Sequence, residues 1–252
     1  MPIHYLRRLT GHQRDQAANR HLGYSLTFIA GAANAGGFLA VGQYTSHMTG
    51  LVSTMADSLA LGRWWPAGAA LVALLSFLAG AATTAVLINW AKQRRLRSQY
   101  ALSLLLEAAL LLVFGLAGAY LADLDDFFVP GTVMLLCFIM GLQNAIITKI
   151  SSAQIRTTHV TGLATDIGIE LGKLLYFNRV ERPHPDEVRA TRDKLQLHAL
   201  LLLNFAVGGV LGALTFKHLG FSATIPLAVW LGVLAATPVV DDLKARWPHR
   251  SS

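Results

Sequence analysis

Residues 45–62 read TSHMTGLVSTMADSLALG, and residues 157–172 read TTHVTGLATDIGIELG. Each puts a histidine, hydroxyls and acids between strongly apolar stretches. His47-x-Thr49-Gly50-Leu51 is matched by His159-x-Thr161-Gly162-Leu163, and upstream Gly31-x-x-Asn34-Ala35 is matched by Gly141-x-x-Asn144-Ala145. Both copies end in Leu-Gly, at Gly62 and Gly172. The spacing from Asn to His drifts by two residues, the mark of a diverged duplication, and a repeat is to be recognised before any fold is named.

Around these elements the chain is apolar. Of 252 residues 54% are hydrophobic and 14% charged, and the mean hydropathy is +0.47, which places the chain in the membrane class. A bilayer crossing takes about 20 residues at about 1.5 Å rise. Six segments are expected to cross, at 22–44, 66–91, 101–122, 127–150, 198–218 and 223–240. The segments 46–62 and 157–175 are shorter and more polar. Each repeat, at about 22–122 and 127–240, then holds one apolar helix, one weak polar helix and two more apolar helices.

Positive charge sets the topology. If all eight segments crossed, the N-terminal arginines (Arg7, Arg8, Arg14, Arg20) and the loop with Lys92, Arg94, Arg95 and Arg97 would lie on opposite faces. If the two weak segments re-enter or break, six spans remain. The segment 1–21, the Lys92 loop, the turn from Lys149 to Arg156, the loop 178–196 and the tail with Lys244, Arg246 and Arg250 then share the cytoplasmic side. Asp123, Asp125 and Asp126 fall outside, and only Arg63 and Lys217 break the pattern. Three spans per repeat is an odd number, so the copies insert upside down relative to each other. The expected fold is an all-α integral membrane protein: six transmembrane helices and two short polar re-entrant or broken helices, in one membrane domain of two inverted-topology repeats.

Several function classes recede. The net charge of +7 lies in short loops between apolar runs, so nucleic acid is not an expected partner. The single cysteine, Cys137, excludes an intrachain disulfide. AGAANA at 30–35 imitates a processing site, but the Asn-Ala pair returns mid-chain, which argues against cleavage. No P-loop, nucleophile elbow or dinucleotide fingerprint is present; no cofactor and no metal site is expected, and no catalytic residue stands out. The loop 178–196, with both charge signs and two prolines, reads as a solvated connector.

The polar residues of the weak helices are the candidates for a solute path, because ionisable groups at membrane depth usually face a bundle interior or a water-filled cavity. On a helix, His159, Gly162, Asp166, Glu170 and Lys173 share one face, and His47, Gly50, Thr54, Asp57 and Ser58 share another. The expected path residues are Asn34, His47, Thr49, Gly50 and Asp57 in the first copy, with Asn144, His159, Thr161, Gly162, Asp166 and Glu170 in the second. Bland readings stand beside these. Ser46 or Thr158 is an N-cap that places the following histidine at a helix start, Gly50 and Gly162 allow close packing, and Glu170 with Lys173 is a structural ion pair. Gly36-Gly37 suggests a kink or local unwinding. Glu107 and Asn204 are further lining candidates, and Trp64, Trp65 and Trp90 read as interfacial anchors.

The strings NAGGFLAVGQYTSHMTG and GLQNAIITKISSAQIRTTHVTG resemble the YoaK-like family of bacterial multi-pass inner-membrane proteins, over about residues 22–240. Members carry Asn after the Thr-Gly pair where this chain has Leu51 and Leu163, so no amide role transfers there. The resemblance implies a bacterial inner-membrane location and supplies no substrate. The expected function is a secondary transporter or facilitator for a small polar or anionic solute. In one form a histidine and carboxylate relay protons. Both termini are expected in the cytoplasm, with membrane lipids as neighbours and a homo-oligomer compatible with the plan. The alternative is a non-transporting scaffold or sensor that binds a partner helix or lipid.

Overall fold

The structure, a computed structural model, describes residues 16–96, 98–121, 125–176 and 189–246. Arg7, Arg8, Arg14, Arg97, Asp123 and Arg250, with most of the loop 178–196, lie outside the described residues. Eight α-helices occur among those described, and no strand: α1 (Gln16–Val41), α2 (Met48–Ala60), α3 (Trp64–Gln93), α4 (Ala101–Leu121), α5 (Asp125–Ile150), α6 (Val160–Leu175), α7 (Arg192–Leu219) and α8 (Thr224–Arg246). A 3-10 turn, Gly220–Ala223, joins the last two. It begins at Gly220 with φ of +59°, a conformation cheap only for glycine.

The packing is that of a membrane protein. Helix α3 buries a stripe of small residues, Ala67, Ala70, Ala73 and Gly80, while Leu75, Leu78 and Val86 face outward. Leu116 and Val210 are likewise exposed. Small residues inside and large apolar ones outside suit lipid as the surrounding solvent. Among the described residues five stretches are long and apolar enough to cross a membrane: Gln16–Val41, Trp64–Gln93, Ala101–Gly118, Val129–Ile150 and Arg192–Ala236. The last, 45 residues long, contains α7, the 3-10 turn and much of α8. Trp64 and Trp65 stand exposed at the start of α3, and Trp90 near its end.

Helix α1 packs on α7 and α5 packs on α3; α2 lies on α3 and α6 on α7; α4 packs on α8, and α1 touches α5. Exchange of the first four helices for the last four leaves these pairings unchanged, whereas α4 also packs on α5 and α8 has no equally extensive contact with α1. The agreement extends to single atoms. A Cβ on Gly31 would strike the Phe205 carbonyl oxygen, and one on Gly141 the Phe77 carbonyl oxygen. Gly208 meets the Phe28 carbonyl and Gly80 the Phe138 carbonyl in the same way. Backbone lies directly on backbone at these four matched places, and at Gly212, which meets the Ala32 main chain. Around this frame Leu22, Leu26, Ile29, Leu104, Leu111, Phe114, Leu136 and Ile139 form one core.

Helix α1 continues without interruption through Gly36-Gly37, so the expected unwinding is absent. The pair serves packing instead. A Cβ on Gly36 would enter the Phe216 ring, and Leu136 lies 3.0 Å from the Cβ position of Gly37.

The four contacts predict an asymmetric tolerance to substitution. Gly141→Leu should lower stability by about 3 kcal/mol, the upper end of overpacking costs, read as thermal unfolding in detergent. Gly172 has open space at its Cβ position, and Gly172→Ala should be neutral or stabilising by up to about 1 kcal/mol through helix propensity.

Candidate functional site: a polar cavity between the two Thr-Gly helices

After α1 ends at Val41 the chain turns at Gly42, with φ of +69°, and folds back along the helix it has just left. Asn34 holds the returning strand. Its Oδ1 accepts from the Ser46 hydroxyl at 2.9 Å and from the Ser46 N–H at 3.3 Å. Asn34 lies seven residues before the end of α1, so the chain re-enters by about 10 Å. The second copy repeats the device: Asn144 Oδ1 accepts from the Thr158 hydroxyl at 2.8 Å and from the Thr157 hydroxyl at 3.4 Å. The Asn144 amide nitrogen donates to the Met140 carbonyl at 2.8 Å, which fixes its orientation. The two extra residues of the second copy go into its turn, where Ser152 and Ala153 take positive φ and Ser151 bonds both Ile147 and Ile155.

Helices α2 and α6 begin at these held points. Their N-caps are His47 and His159, one residue beyond the hydroxyl residues expected in that role; Ser46 and Thr158 are committed to the asparagines instead. Neither histidine makes a side-chain capping bond. Each ring lies over the first turn of its own helix, where a Cβ on Gly50 would strike the His47 ring and one on Gly162 the His159 ring. The His-x-Thr-Gly spacing is thereby explained: glycine is needed three residues after the cap because the imidazole occupies its side-chain space.

The two helix starts open into one cavity of about 770 Å³. Asn34, His47 and Thr49 line it from one copy, and Asn144, His159 and Thr161 from the other. Phe77 and Phe205, whose carbonyls meet Gly141 and Gly31, line it too. Arg156 is the one permanently charged residue among its described lining residues, and none of those is acidic. Arg156 Nη1 lies 3.0 Å from His159 Nδ1. Since guanidinium only donates, Nδ1 is placed as the acceptor in this contact. By the two-residue drift Tyr44 stands where the second copy has Arg156, and it stacks on Phe38 at 4.5 Å. An adjoining apolar cavity of about 820 Å³, lined by Leu51, Trp65, Ala70 and Val133, shares Tyr44 and His47 with the polar one.

The other expected path residues lie elsewhere. Gly50 and Gly162 seat the histidine rings. Asp57 is exposed near the far end of α2. The acids of α6 face α7. Asp166 lies 3.4 Å from Lys194 Nζ and 3.6 Å from His198 Nδ1. Glu170, 1% exposed in its side chain, accepts from Lys173 Nζ at 2.9 Å and from the Thr191 N–H at 2.8 Å. The Lys173 ammonium and the Thr191 N–H hold the Glu170 carboxyl below the usual carboxylate range. Asn204 bonds the Leu200 carbonyl of its own helix. Arg156, Tyr44, Phe77 and Phe205 are lining residues that the sequence did not single out; the signal for Arg156 was its place three residues before His159. Among the described residues no group of three His, Cys, Asp or Glu side chains is placed to hold a metal ion.

Residues 22–237 match the family described as "Protein of unknown function (DUF1275)", and the chain belongs to it. It is similar to UPF0700 transmembrane protein YoaK of Bacillus subtilis (strain 168), with 27% identity over 217 residues that cover 83% of this chain and 89% of that one. No solved structure matches. The YoaK resemblance read from the repeated motifs holds over most of the chain, and the protein is a membrane protein.

The Glu170 contacts predict a pH-dependent tie between α6 and α7. A carboxyl held below its ordinary value adds stability above about pH 4.3, the unfolded value, and loses it as the pH falls further. Glu170→Gln should lower the unfolding midpoint by a few degrees at neutral pH, and the gap from wild type should close below about pH 4. A second expectation concerns the histidine seats. Gly162→Ala should displace the His159 ring and shift its NMR resonances as strongly as Arg156→Ala does, while Gly168→Ala, in open space, should leave them unchanged.

Proposed function

We propose that this protein is a secondary transporter or facilitator that carries a small anionic solute across the bacterial inner membrane, along a path through the cavity between α2 and α6. The observation that carries the reading is the lining itself: Arg156, two imidazoles, hydroxyls and amides, with no acid among the described residues. Two helix starts at the same cavity add to it. The first N–H groups of a helix have no partner within it, and the positive end of its dipole favours negative charge. In transporters built from inverted repeats, broken-helix N-termini serve anionic groups in this way.

In this reading the two copies are inverted-topology repeats. The exchange-symmetric pairings and the matched glycine contacts support a two-fold relation. Six helices cross, α7 and α8 as a hairpin about Gly220, because 45 residues of helix would span about 68 Å against a hydrocarbon core of about 30 Å. Helices α2 and α6 re-enter from opposite faces. The Lys and Arg distribution puts both termini in the cytoplasm. The protein supplies a passage and no covalent chemistry, alone or as a homo-oligomer.

Two experiments test this. Thr49→Cys and Thr161→Cys, each in a Cys137→Ser background, should react with small aqueous thiol reagents; complete protection of both favours the scaffold or sensor reading. Purified protein in liposomes should take up small carboxylates or inorganic anions from a panel, and Arg156→Gln should lower that uptake about tenfold or more, as expected when a charge-assisted bond worth about 1.5–3 kcal/mol is lost. Uptake equal to that of empty liposomes across the panel would overturn the proposal.

A further inference from the structure

Away from the cavity, α4 and α5 enclose a polar cluster that the transport path does not use. Glu107 is completely buried, and so are Ser103 and Gln143. Ser103 stands four residues before Glu107, on the same face of α4. Gln143 of α5 is the polar neighbour of the Glu107 carboxyl. Gln143 sits close enough to act on the carboxyl as a hydrogen-bonding neighbour, but at a geometry that leaves both carboxyl oxygens of Glu107, both amide atoms of Gln143 and the Ser103 hydroxyl without a fully formed bond. These are five of the eight such atoms among the described residues. The other carboxylates of interest, Asp166 and Glu170, are paired with cations outside the cavity.

An ionised carboxylate enclosed without a partner is strongly disfavoured. Among the described residues Gln143 is the one side chain that acts on Glu107, and it carries no charge. An enclosed carboxyl can give up a proton only to water or with the help of a bonded amide. Gln143 is placed to supply the second. It precedes Asn144 on α5, about 100° round the helix, so one side chain faces the cavity and its neighbour faces Glu107. In the first copy Ala33 occupies the place of Gln143, so the device belongs to one copy only.

We propose that Glu107 is the proton-carrying group of this transporter, linked to the solute cavity through the adjacent Gln143 and Asn144 of α5. This rests on the transport reading above and makes it proton-coupled, with the coupling carboxyl on α4 and not on α6. The step is one of acid and base alone. The Glu107 O–H bond breaks, the proton passes to water, and the resulting carboxylate accepts from the Gln143 amide N–H.

The test uses full-length protein in liposomes and dicyclohexylcarbodiimide, an apolar reagent that adds to protonated carboxyls. Mass spectrometry should find the adduct on Glu107 at about pH 6 and a decline of about tenfold per pH unit once the carboxyl titrates. Absence of label at every pH, or label independent of pH between about 5.5 and 9, overturns the proposal without any variant. Glu107→Gln, a neutral replacement of the same shape, should keep the fold and take up no label there. It should also remove the pH dependence of anion uptake. Labelling that titrates beside absent uptake in wild type would defeat the transport reading alone; unchanged pH dependence of uptake in Glu107→Gln would defeat this inference alone.

Discussion

Backbone lying on backbone at four matched glycines is the constraint from which the rest of the molecule follows. Where Gly31 meets the Phe205 carbonyl and Gly141 the Phe77 carbonyl, two helices approach as closely as main chains allow, a mode of packing that lipid-embedded helices favour because dispersion has to replace the hydrophobic effect between them. Gly208 and Gly80 complete the same two seams from the other side. Each seam joins the first helix of one copy to the third helix of the other, so neither copy closes its core alone. The asparagines that catch the returning chain lie three residues past Gly31 and Gly141. The residues whose carbonyls form the seams, Phe77 and Phe205, line the cavity. Its position is set by these contacts.

Much of this was legible in the sequence, and what was legible has a common character. Apolar length located the long helices, since a bilayer imposes it directly. Recurrence of His-x-Thr-Gly and of Gly-x-x-Asn-Ala located the duplicated element, and Asn34, Asn144, the histidines and the threonines do gather at one cavity. Helical periodicity also grouped Asp166 and Glu170 with His159. That grouping holds on the helix, but the far turns of α6 meet α7, so the acids find Lys194, His198 and the Thr191 N–H there.

The remainder depended on where loops return, which periodicity does not encode. Ser46 and Thr158 resemble N-caps in composition, and only the fold-back brings an asparagine amide near enough to claim them. Arg156 reads as one more loop cation until the turn at Ser152 and Ala153 carries it to the cavity. Gly36-Gly37 reads as a weak point in a helix, whereas a ring from α7 occupies the space at Gly36 and Leu136 of α5 lies against Gly37. In each case the deciding atom belongs to a distant part of the chain.

The two half-length helices are fastened by different materials. Helix α6 is tied to α7 by directional, charge-assisted bonds at Asp166 and Glu170. Helix α2 rests on its neighbours through Leu51, Ala70, Ala73 and Cys137, with an open apolar groove alongside. Charge-assisted bonds resist sliding because they weaken steeply with angle and distance, whereas apolar surfaces exchange contacts at little cost. The two copies thus differ chemically where they match in backbone, and acid would loosen the seat of α6 while leaving that of α2 untouched.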